Sequence, residues 1–114
     1  MVKSSANDIS LLDELRTGGY EASLITTYNV YLPFYEEVVL RKLLASGCRH
    51  NVVLADHEQC ALAVRDTNYR PGLAGTQYTL VPMRVPGSFH PKIAFLAGPK
   101  KVLILVGSHN LTVS

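Results

Sequence analysis

The feature that most constrains the fold of this chain is the alternation of short apolar runs with segments of helical periodicity. The run 51–55 is short and apolar, as in a buried strand. The segment that begins at Pro33 instead repeats its apolar residues at helical spacing until Gly47. This order of elements predicts an α/β fold in which a mixed β-sheet is flanked by helices. The predicted helices are 8–16, 33–47 and 57–64, and the predicted strands are 23–31, 51–55, 78–85, 91–97 and 101–106.

Capping and turn residues set several of the predicted boundaries. Asp8 is placed to cap the first helix, and Gly18-Gly19 is placed to end it. Gly98-Pro99-Lys100 predicts a hairpin turn between the last two strands. Because Pro82 cannot donate a backbone hydrogen bond, its strand is predicted at an edge of the sheet or with a bend.

Size and composition limit the organisation of the chain. Its 114 residues correspond to a single domain, 1–114, since domains usually hold about 100–200 residues. A hydrophobic content of 47% supplies an ordinary core and argues against disorder. Eleven basic and nine acidic residues leave a net charge of +2, which is too small to indicate nucleic-acid binding by itself. Because the last predicted strand ends shortly before Ser114, we expect the chain to be the N-terminal part of a longer protein.

Apolar segments and cysteines indicate the compartment. No apolar run approaches the roughly 18 residues of a membrane-spanning helix. The first residues lack an apolar segment, so no signal peptide is visible. Two cysteines, Cys48 and Cys60, in a chain with an adequate core favour a reducing environment. We therefore expect a cytoplasmic protein without membrane contact or a disulfide.

The residues that carry chemistry concentrate in two short segments, His90-Pro91-Lys92 and Gly107-Ser108-His109-Asn110. On a strand, His90 and Lys92 are two positions apart and lie on the same face. The next strand returns antiparallel after the predicted turn, which brings the second segment back beside His90. An imidazole, an ammonium, a hydroxyl and an amide are therefore expected at one edge of the sheet, in an arrangement the size of a phosphate group.

These groups suit attack on phosphorus. A neutral imidazole at His90 can act as the nucleophile and form a covalent phosphohistidine. The Lys92 ammonium would neutralise the non-bridging oxygens, while the Ser108 hydroxyl and the Asn110 amide add directed donors. Gly107 lets the backbone approach the phosphate without a Cβ. The scheme requires neither a metal nor a cofactor.

The pattern His90-x-Lys92, followed after the hairpin by Gly107-Ser108-x-Asn110, resembles the HKD motif of the phospholipase D-like superfamily. The resemblance covers residues 20–114 in the order of elements, but its specific part is only His90 to Thr112. It implies phosphodiester cleavage or transfer through a phosphohistidine, usually without metal. It also implies a site built from two motifs across a two-fold or pseudo-two-fold axis, where the second histidine is the general acid. Since this chain carries one motif, the resemblance implies a homodimer or a second motif further along a longer chain.

One position departs from the family pattern, because the acidic residue five positions after Lys92 is here Ala97. The nuclease-like and tyrosyl-DNA phosphodiesterase branches often lack this acid and keep the asparagine, so this chain resembles them more than the lipases. The resemblance therefore implies a nuclease or phosphodiesterase that acts on nucleic acid, DNA above all. The implied catalytic residues are His90, Lys92 and Asn110. Gly107 and Ser108 would contact the substrate, while His109 alternates away from its neighbours and is a weaker candidate for such a contact.

Other interpretations of the motif are open. His90 beside a proline could simply begin a strand, and Lys92 could be a charge that protects an edge strand from aggregation. The chain could also be a non-catalytic nucleic-acid-binding module inside a helicase or restriction-type protein. A phospholipid-directed phosphodiesterase is a further alternative, but the segment 69–80 is too polar and glycine-rich to provide a membrane-binding rim.

A second group of possible ligands combines Cys48-x-His50 with His57-x-x-Cys60. Structural zinc sites favour cysteine pairs two to four residues apart, whereas each half here mixes ligand types around a predicted strand, so a zinc site is disfavoured. Tyr28 and Tyr31, near a predicted strand end, could stack on a base, although half-buried packing is the simpler role.

Charged residues outside the motif have simpler interpretations. Glu36 and Glu37 are expected on a solvated helix face near a positive N-terminus. The basic residues scatter instead of forming a block, and Arg84 and Lys100-Lys101 are predicted nearest to His90, where they would suit a polyanion. The scattered basic residues are Arg41, Lys42, Arg49, Arg65, Arg70, Arg84, Lys100 and Lys101.

Overall fold

Six strands form one sheet in the computed structural model, which describes residues 2–4, 11–28, 31–67, 73–89 and 91–106. The strands are β1 (Val2–Ser4), β2 (Ala22–Thr27), β3 (His50–Asp56), β4 (Thr79–Met83), β5 (Ile93–Ala97) and β6 (Val102–Val106). Their spatial order is β1-β6-β5-β2-β3-β4. β5 runs antiparallel to both neighbours, and all other neighbours pair in parallel. The predicted α/β fold with a mixed sheet is therefore confirmed.

Helical segments connect the parallel strands, which cannot be joined by a tight turn. A continuous helical run links β2 to β3, and a further helix links β3 to β4. Pro33 lies in the first turn of the helical run, where its missing N–H costs no hydrogen bond, as predicted. The run ends before Gly47, whose φ of 96° suits glycine. The helices are α1 (Leu11–Leu15), α2 (Leu32–Phe34), a π-helical turn (Tyr35–Val39), α3 (Leu40–Ala45) and α4 (His57–Thr67).

The core lies on one face of the sheet. Ile25, Val53 and Ala94 are neighbours in register on this face and belong to the same buried cluster as Leu40 of α3. The right-handed rule for parallel crossovers places both connecting helical segments on one face, which explains why that face is covered. The opposite face carries partly exposed apolar side chains, among them Phe95, which is 37% exposed.

Two element boundaries differ from the predictions at the start of the chain. The first helix spans Leu11–Leu15 instead of residues 8–16, and the proposed cap Asp8 lies outside the described residues. β1 was not predicted, because three residues are too few to show a strand pattern; it is recognisable only by its parallel pairing with β6. The position of β4 at the end of the sheet confirms the edge strand predicted from Pro82.

Glu36 is buried, so the prediction that it lies on a solvated helix face is wrong. The π-helical turn adds a residue to one turn of the helical run, and both Tyr35 and Glu36 consequently face inward. The Glu36 carboxylate accepts a 2.8 Å hydrogen bond from the Tyr78 hydroxyl, and the Tyr35 and Tyr78 rings lie 4.8 Å apart. Burial raises the pKa of Tyr35, whose hydroxyl has no hydrogen-bond partner among the described residues. Glu37 is exposed, as predicted.

Candidate active site

Strand ends that point the same way create one polar edge of the sheet. The mutually parallel strands all end at this edge, and the antiparallel β5 begins there. Ligand sites of open α/β sheets form preferentially outside the carboxyl ends of the strands. We call this region the carboxyl edge, and among the described residues it comprises 26–28, 56–59, 83–89, 91–93 and 106.

The hairpin of β5 and β6 has its open end at the carboxyl edge. Its register pairs Ala97 with Val102 beside the turn and Ile93 with Val106 at the carboxyl edge. Lys92 directly precedes Ile93 and is half-buried. The other predicted site residues lie outside the described residues, so their roles stay predictions: His90, Gly107, Ser108, His109 and Asn110.

Thr26, at the end of β2, holds the segment that carries Lys92. Its Oγ1 accepts a 2.8 Å hydrogen bond from the backbone N–H of Ile93 and donates a 2.9 Å bond to the carbonyl oxygen of Pro91. One buried hydroxyl thus fixes the backbone on both sides of Lys92 and replaces the strand pairing expected there. β5 therefore begins at Ile93 and not at residue 91, so the strand alternation used to place His90 and Lys92 on one face does not reach them.

Asp56, the last residue of β3, holds the same segment on its other side. Its Oδ1 accepts a 2.9 Å hydrogen bond from the backbone N–H of Phe89. Its Oδ2 accepts the N–H groups of Glu58 and Gln59 at 3.1 and 3.2 Å, which caps the N-terminus of α4. These bonds favour the charged carboxylate, so the pKa of Asp56 is lowered, chiefly by the bond from Phe89. The backbone is therefore anchored at both neighbours of residue 90.

Arg84 and His57 meet across the ends of β4 and β3. The guanidinium Nη2 and the His57 Nε2 are 2.8 Å apart. Because a guanidinium can only donate, Nε2 of His57 is the acceptor in this contact. The pair lies at the wall of a cavity of about 320 Å³. The cavity is lined by Asp56, His57, Glu58, Met83, Arg84, Val85 and Gly87.

The two tyrosines near the end of β2 have different surroundings. The Tyr28 side chain is half-buried, and its hydroxyl accepts a 3.1 Å hydrogen bond from Nε2 of Gln59. This contact agrees with the packing role predicted for Tyr28 and joins β2 to the start of α4. Tyr31 is 36% exposed, so its ring retains surface on which another flat group could pack.

Lys100 and Lys101 lie at the opposite edge of the sheet, so the prediction that they are close to the motif is wrong. They follow the turn between β5 and β6, about 16 Å along β5 from the carboxyl edge. The Lys101 Nζ donates a 2.8 Å hydrogen bond to Oγ1 of Thr17 and lies 4.5 Å from the centre of the Tyr20 ring. The two lysines are near the motif in sequence, but the turn that they follow lies at the end of the hairpin opposite to the carboxyl edge.

The cysteines and histidines considered as zinc ligands do not converge. Cys48 and His50 lie at the start of β3, whereas His57 and Cys60 follow its end, about 20 Å away. The structure describes no group of three or more metal-ligating side chains within its residues. Both cysteines are free buried thiols, and burial raises the pKa of each to about 11. The Cys48 thiol donates a hydrogen bond to Asn51 instead of serving a metal.

Sequence reasoning missed Thr26, Asp56 and the pairing of Arg84 with His57. Asp56 had a recognisable signal, because an aspartate between an apolar run and a predicted helix is a typical N-cap. Thr26 had none, since a threonine inside a β-branched run is indistinguishable from its neighbours. The contact between Arg84 and His57 depends on which strands are adjacent, which a single sequence does not reveal.

No family model matches the chain, and comparisons with curated proteins and with solved structures find no match either. Within the described ranges, no helix has both the length and the apolar character needed to cross a membrane. The proposed function therefore rests on the chemistry of the carboxyl edge.

Proposed function

We propose that this protein is a phosphodiesterase of the phospholipase D-like class, a nuclease that cleaves nucleic acid through a phosphohistidine at His90 and needs no metal for that step. The observation that carries the proposal is the register of the β5–β6 hairpin, in which Ile93 opposes Val106. The His90-x-Lys92 segment enters the sheet at this pair, and the Gly107-Ser108-x-Asn110 segment leaves it there. Two segments rich in phosphate-binding groups therefore adjoin one point of the carboxyl edge.

Anchoring of the nucleophile's neighbours supports the same proposal. Phe89 is held by Asp56, and Pro91 is held by Thr26. Catalysis by a nucleophilic side chain benefits from a backbone that is fixed before the substrate arrives, since orientation then costs nothing at the moment of reaction. Side-chain hydrogen bonds of this kind are unnecessary for a histidine that merely begins a strand.

In the proposed first step, a lone pair of the His90 imidazole attacks phosphorus, and the bond from phosphorus to the leaving oxygen breaks. A second histidine protonates that oxygen as it leaves. In the second step a water molecule gives its proton to that histidine and attacks phosphorus, and the P–N bond breaks to restore His90. The Lys92 ammonium and the Asn110 amide stabilise the charge that develops on the non-bridging oxygens.

The second histidine belongs to a second motif in this proposal. With one motif in these 114 residues, it comes from another copy of the chain in a homodimer or from a motif elsewhere in a longer chain. Nucleic acid is the proposed substrate because the His-Lys-Asn set resembles that of the nuclease-like branches. The Arg84 guanidinium at the carboxyl edge is a further group that can donate hydrogen bonds to such a substrate.

Cleavage of labelled single- and double-stranded oligonucleotides in EDTA tests the proposal. The wild type is compared with His90→Ala and with His50→Ala, which removes an exposed histidine at the opposite end of β3. Circular dichroism verifies the fold of each variant, and solution mass gives the oligomeric state. We expect metal-free cleavage that His90→Ala abolishes and His50→Ala retains. Cleavage by a folded His90→Ala variant, or salt-sensitive binding without turnover by a folded wild-type dimer, would contradict the proposal.

A further inference from the structure

The cavity beside Arg84 combines donors, acceptors and apolar walls in one small volume. Its volume of about 320 Å³ is near the lower limit of small-molecule sites, which span roughly 300–1,000 Å³. Met83 and Val85 contribute apolar side chains to the lining. The cavity adjoins the proposed catalytic segment through Asp56, which lines it and also holds Phe89. A group bound here would therefore lie next to the proposed site of phosphodiester cleavage.

Arg84 is the principal hydrogen-bond donor of the cavity. One N–H of its guanidinium is directed to Nε2 of His57, which orients the planar fork. The other N–H groups have no partner among the described residues. An oriented guanidinium with free N–H groups matches two adjacent acceptor atoms on a flat ligand.

Glu58 is the principal free acceptor. Both oxygens of Asp56 are already engaged by backbone N–H groups, whereas the Glu58 side chain is exposed and makes no hydrogen bond to any described residue. The lining therefore offers a cationic donor from Arg84 and an anionic acceptor from Glu58. A ligand that fits both has acceptors on one edge and donors on another.

The charge balance of the cavity disfavours a phosphate group as its ligand. The carboxylates of Asp56 and Glu58 outnumber the single guanidinium, one N–H of which is already directed to His57. A phosphate would face two like charges at short range. A neutral planar ring avoids this repulsion and can pack against Met83 and Val85.

We propose that this cavity binds an unpaired guanine base next to the scissile phosphate, so that the protein prefers single-stranded nucleic acid with guanine at that position. Guanine presents O6 and N7 as adjacent acceptors, the pattern that an arginine fork reads best, and it carries N–H donors on its pairing edge for Glu58. This inference rests on the proposed function, because the polymer that brings the base is the substrate of the carboxyl edge.

Fluorescence anisotropy with labelled thymidine 12-mers tests the inference. The central nucleotide is dG, dA or dC, and His90→Ala serves as the background so that the probes stay intact. We expect the dG probe to bind at least about five-fold more tightly than the dA probe, the minimum for a good bidentate contact. Arg84→Gln and Glu58→Gln should each bring this ratio close to one. Arg65→Gln, which removes an exposed arginine in the last turn of α4, should leave the ratio unchanged.

Each other outcome overturns the inference in a recognisable way. A dG preference that survives Arg84→Gln would place base recognition elsewhere. Equal binding of all probes, with a uniform loss and a salt dependence reduced by about one unit in Arg84→Gln, would make Arg84 a phosphate contact and leave the proposed function intact. Failure of every probe to bind the folded protein would count against both the guanine site and the proposed function.

Discussion

The two edges of the sheet are held together in different ways. At the edge opposite the carboxyl edge, backbone meets backbone: a Cβ on Gly98 would collide with the carbonyl oxygen of Gly19, and the N–H of Glu21 donates a 2.8 Å bond to Ala97. At the carboxyl edge, the side chains of Thr26 and Asp56 replace such backbone contacts.

This difference separates stability from function. Close backbone packing leaves no space between Gly19 and Gly98, so this contact serves to hold the sheet together. Side-chain anchors fix a segment while leaving a cavity beside it. We therefore expect substitutions at the first edge to change the free energy of unfolding without changing the chemistry, and substitutions at the carboxyl edge to change both.

Gly98→Ala should have the largest effect on stability. The added Cβ has no space beside the Gly19 backbone, so we expect a loss of about 3 kcal/mol in the free energy of unfolding, the upper part of the usual cost of overpacking. Urea denaturation measures it, and the folded fraction should keep the wild-type cleavage rate.

Gly75→Ala is the matched control for this prediction. Its added Cβ would meet nothing within 4 Å, so only the left-handed backbone at φ 86° contributes, at about 1 kcal/mol. Equal losses in the free energy of unfolding for Gly98→Ala and Gly75→Ala would show that the close contact between residue 98 and the Gly19 backbone does not stabilise this edge.

Thr26→Val should have an intermediate effect on stability and a clear effect on cleavage. It leaves the N–H of Ile93 and the carbonyl of Pro91 without their partner, at a cost of about 2 kcal/mol. The freed segment should lower kcat, and Thr26→Ser, which keeps the hydroxyl, should recover most of both losses. Thr79→Val, at an exposed position of β4, provides the control. A wild-type kcat in folded Thr26→Val would show that Thr26 does not position Lys92 for catalysis.

Asp56→Asn should have the smallest effect, and one that depends on pH. Because the folded-state pKa of Asp56 is lowered, its stabilisation is complete above the ordinary aspartate pKa of about 4 and is lost as pH falls through the folded-state value. The difference in unfolding free energy between wild type and Asp56→Asn should therefore be constant near pH 6 and shrink below about pH 4. A difference independent of pH down to pH 2.5 would contradict the role given to the charged carboxylate.

The elements that sequence alone predicted are those whose signals are local. The apolar runs around Val53 and Leu103 and the stripe through Leu43 each bury one face, so their periodicity is sufficient. Glu36 was misplaced because a π-helical turn changes which residues face inward without leaving a pattern in the sequence. Lys101 was misplaced because it follows the hairpin turn, and this turn lies at the end of β5 and β6 opposite to the carboxyl edge.

The candidate site was predictable only in part for the same reason. The spacing of His90, Lys92 and Asn110 is a local pattern, and the predicted hairpin between β5 and β6 is confirmed, whereas His90 and Asn110 lie outside the described residues. The anchors are not local, since Thr26 and Asp56 act across 65 and 33 positions of the chain. To predict contacts of this kind, one must know the order of the strands in the sheet, in which β2 lies between β5 and β3.

The most direct test of a phosphohistidine at the carboxyl edge is to trap and locate the covalent intermediate. Wild-type protein is mixed with an end-labelled oligonucleotide in EDTA, denatured within seconds under alkaline conditions that preserve phosphohistidine, and digested for mass spectrometry. Our account predicts one adduct, on His90, that is absent from folded His90→Ala and present in His50→Ala. Cleavage that proceeds with no adduct on His90, or with the adduct on another residue, would contradict it.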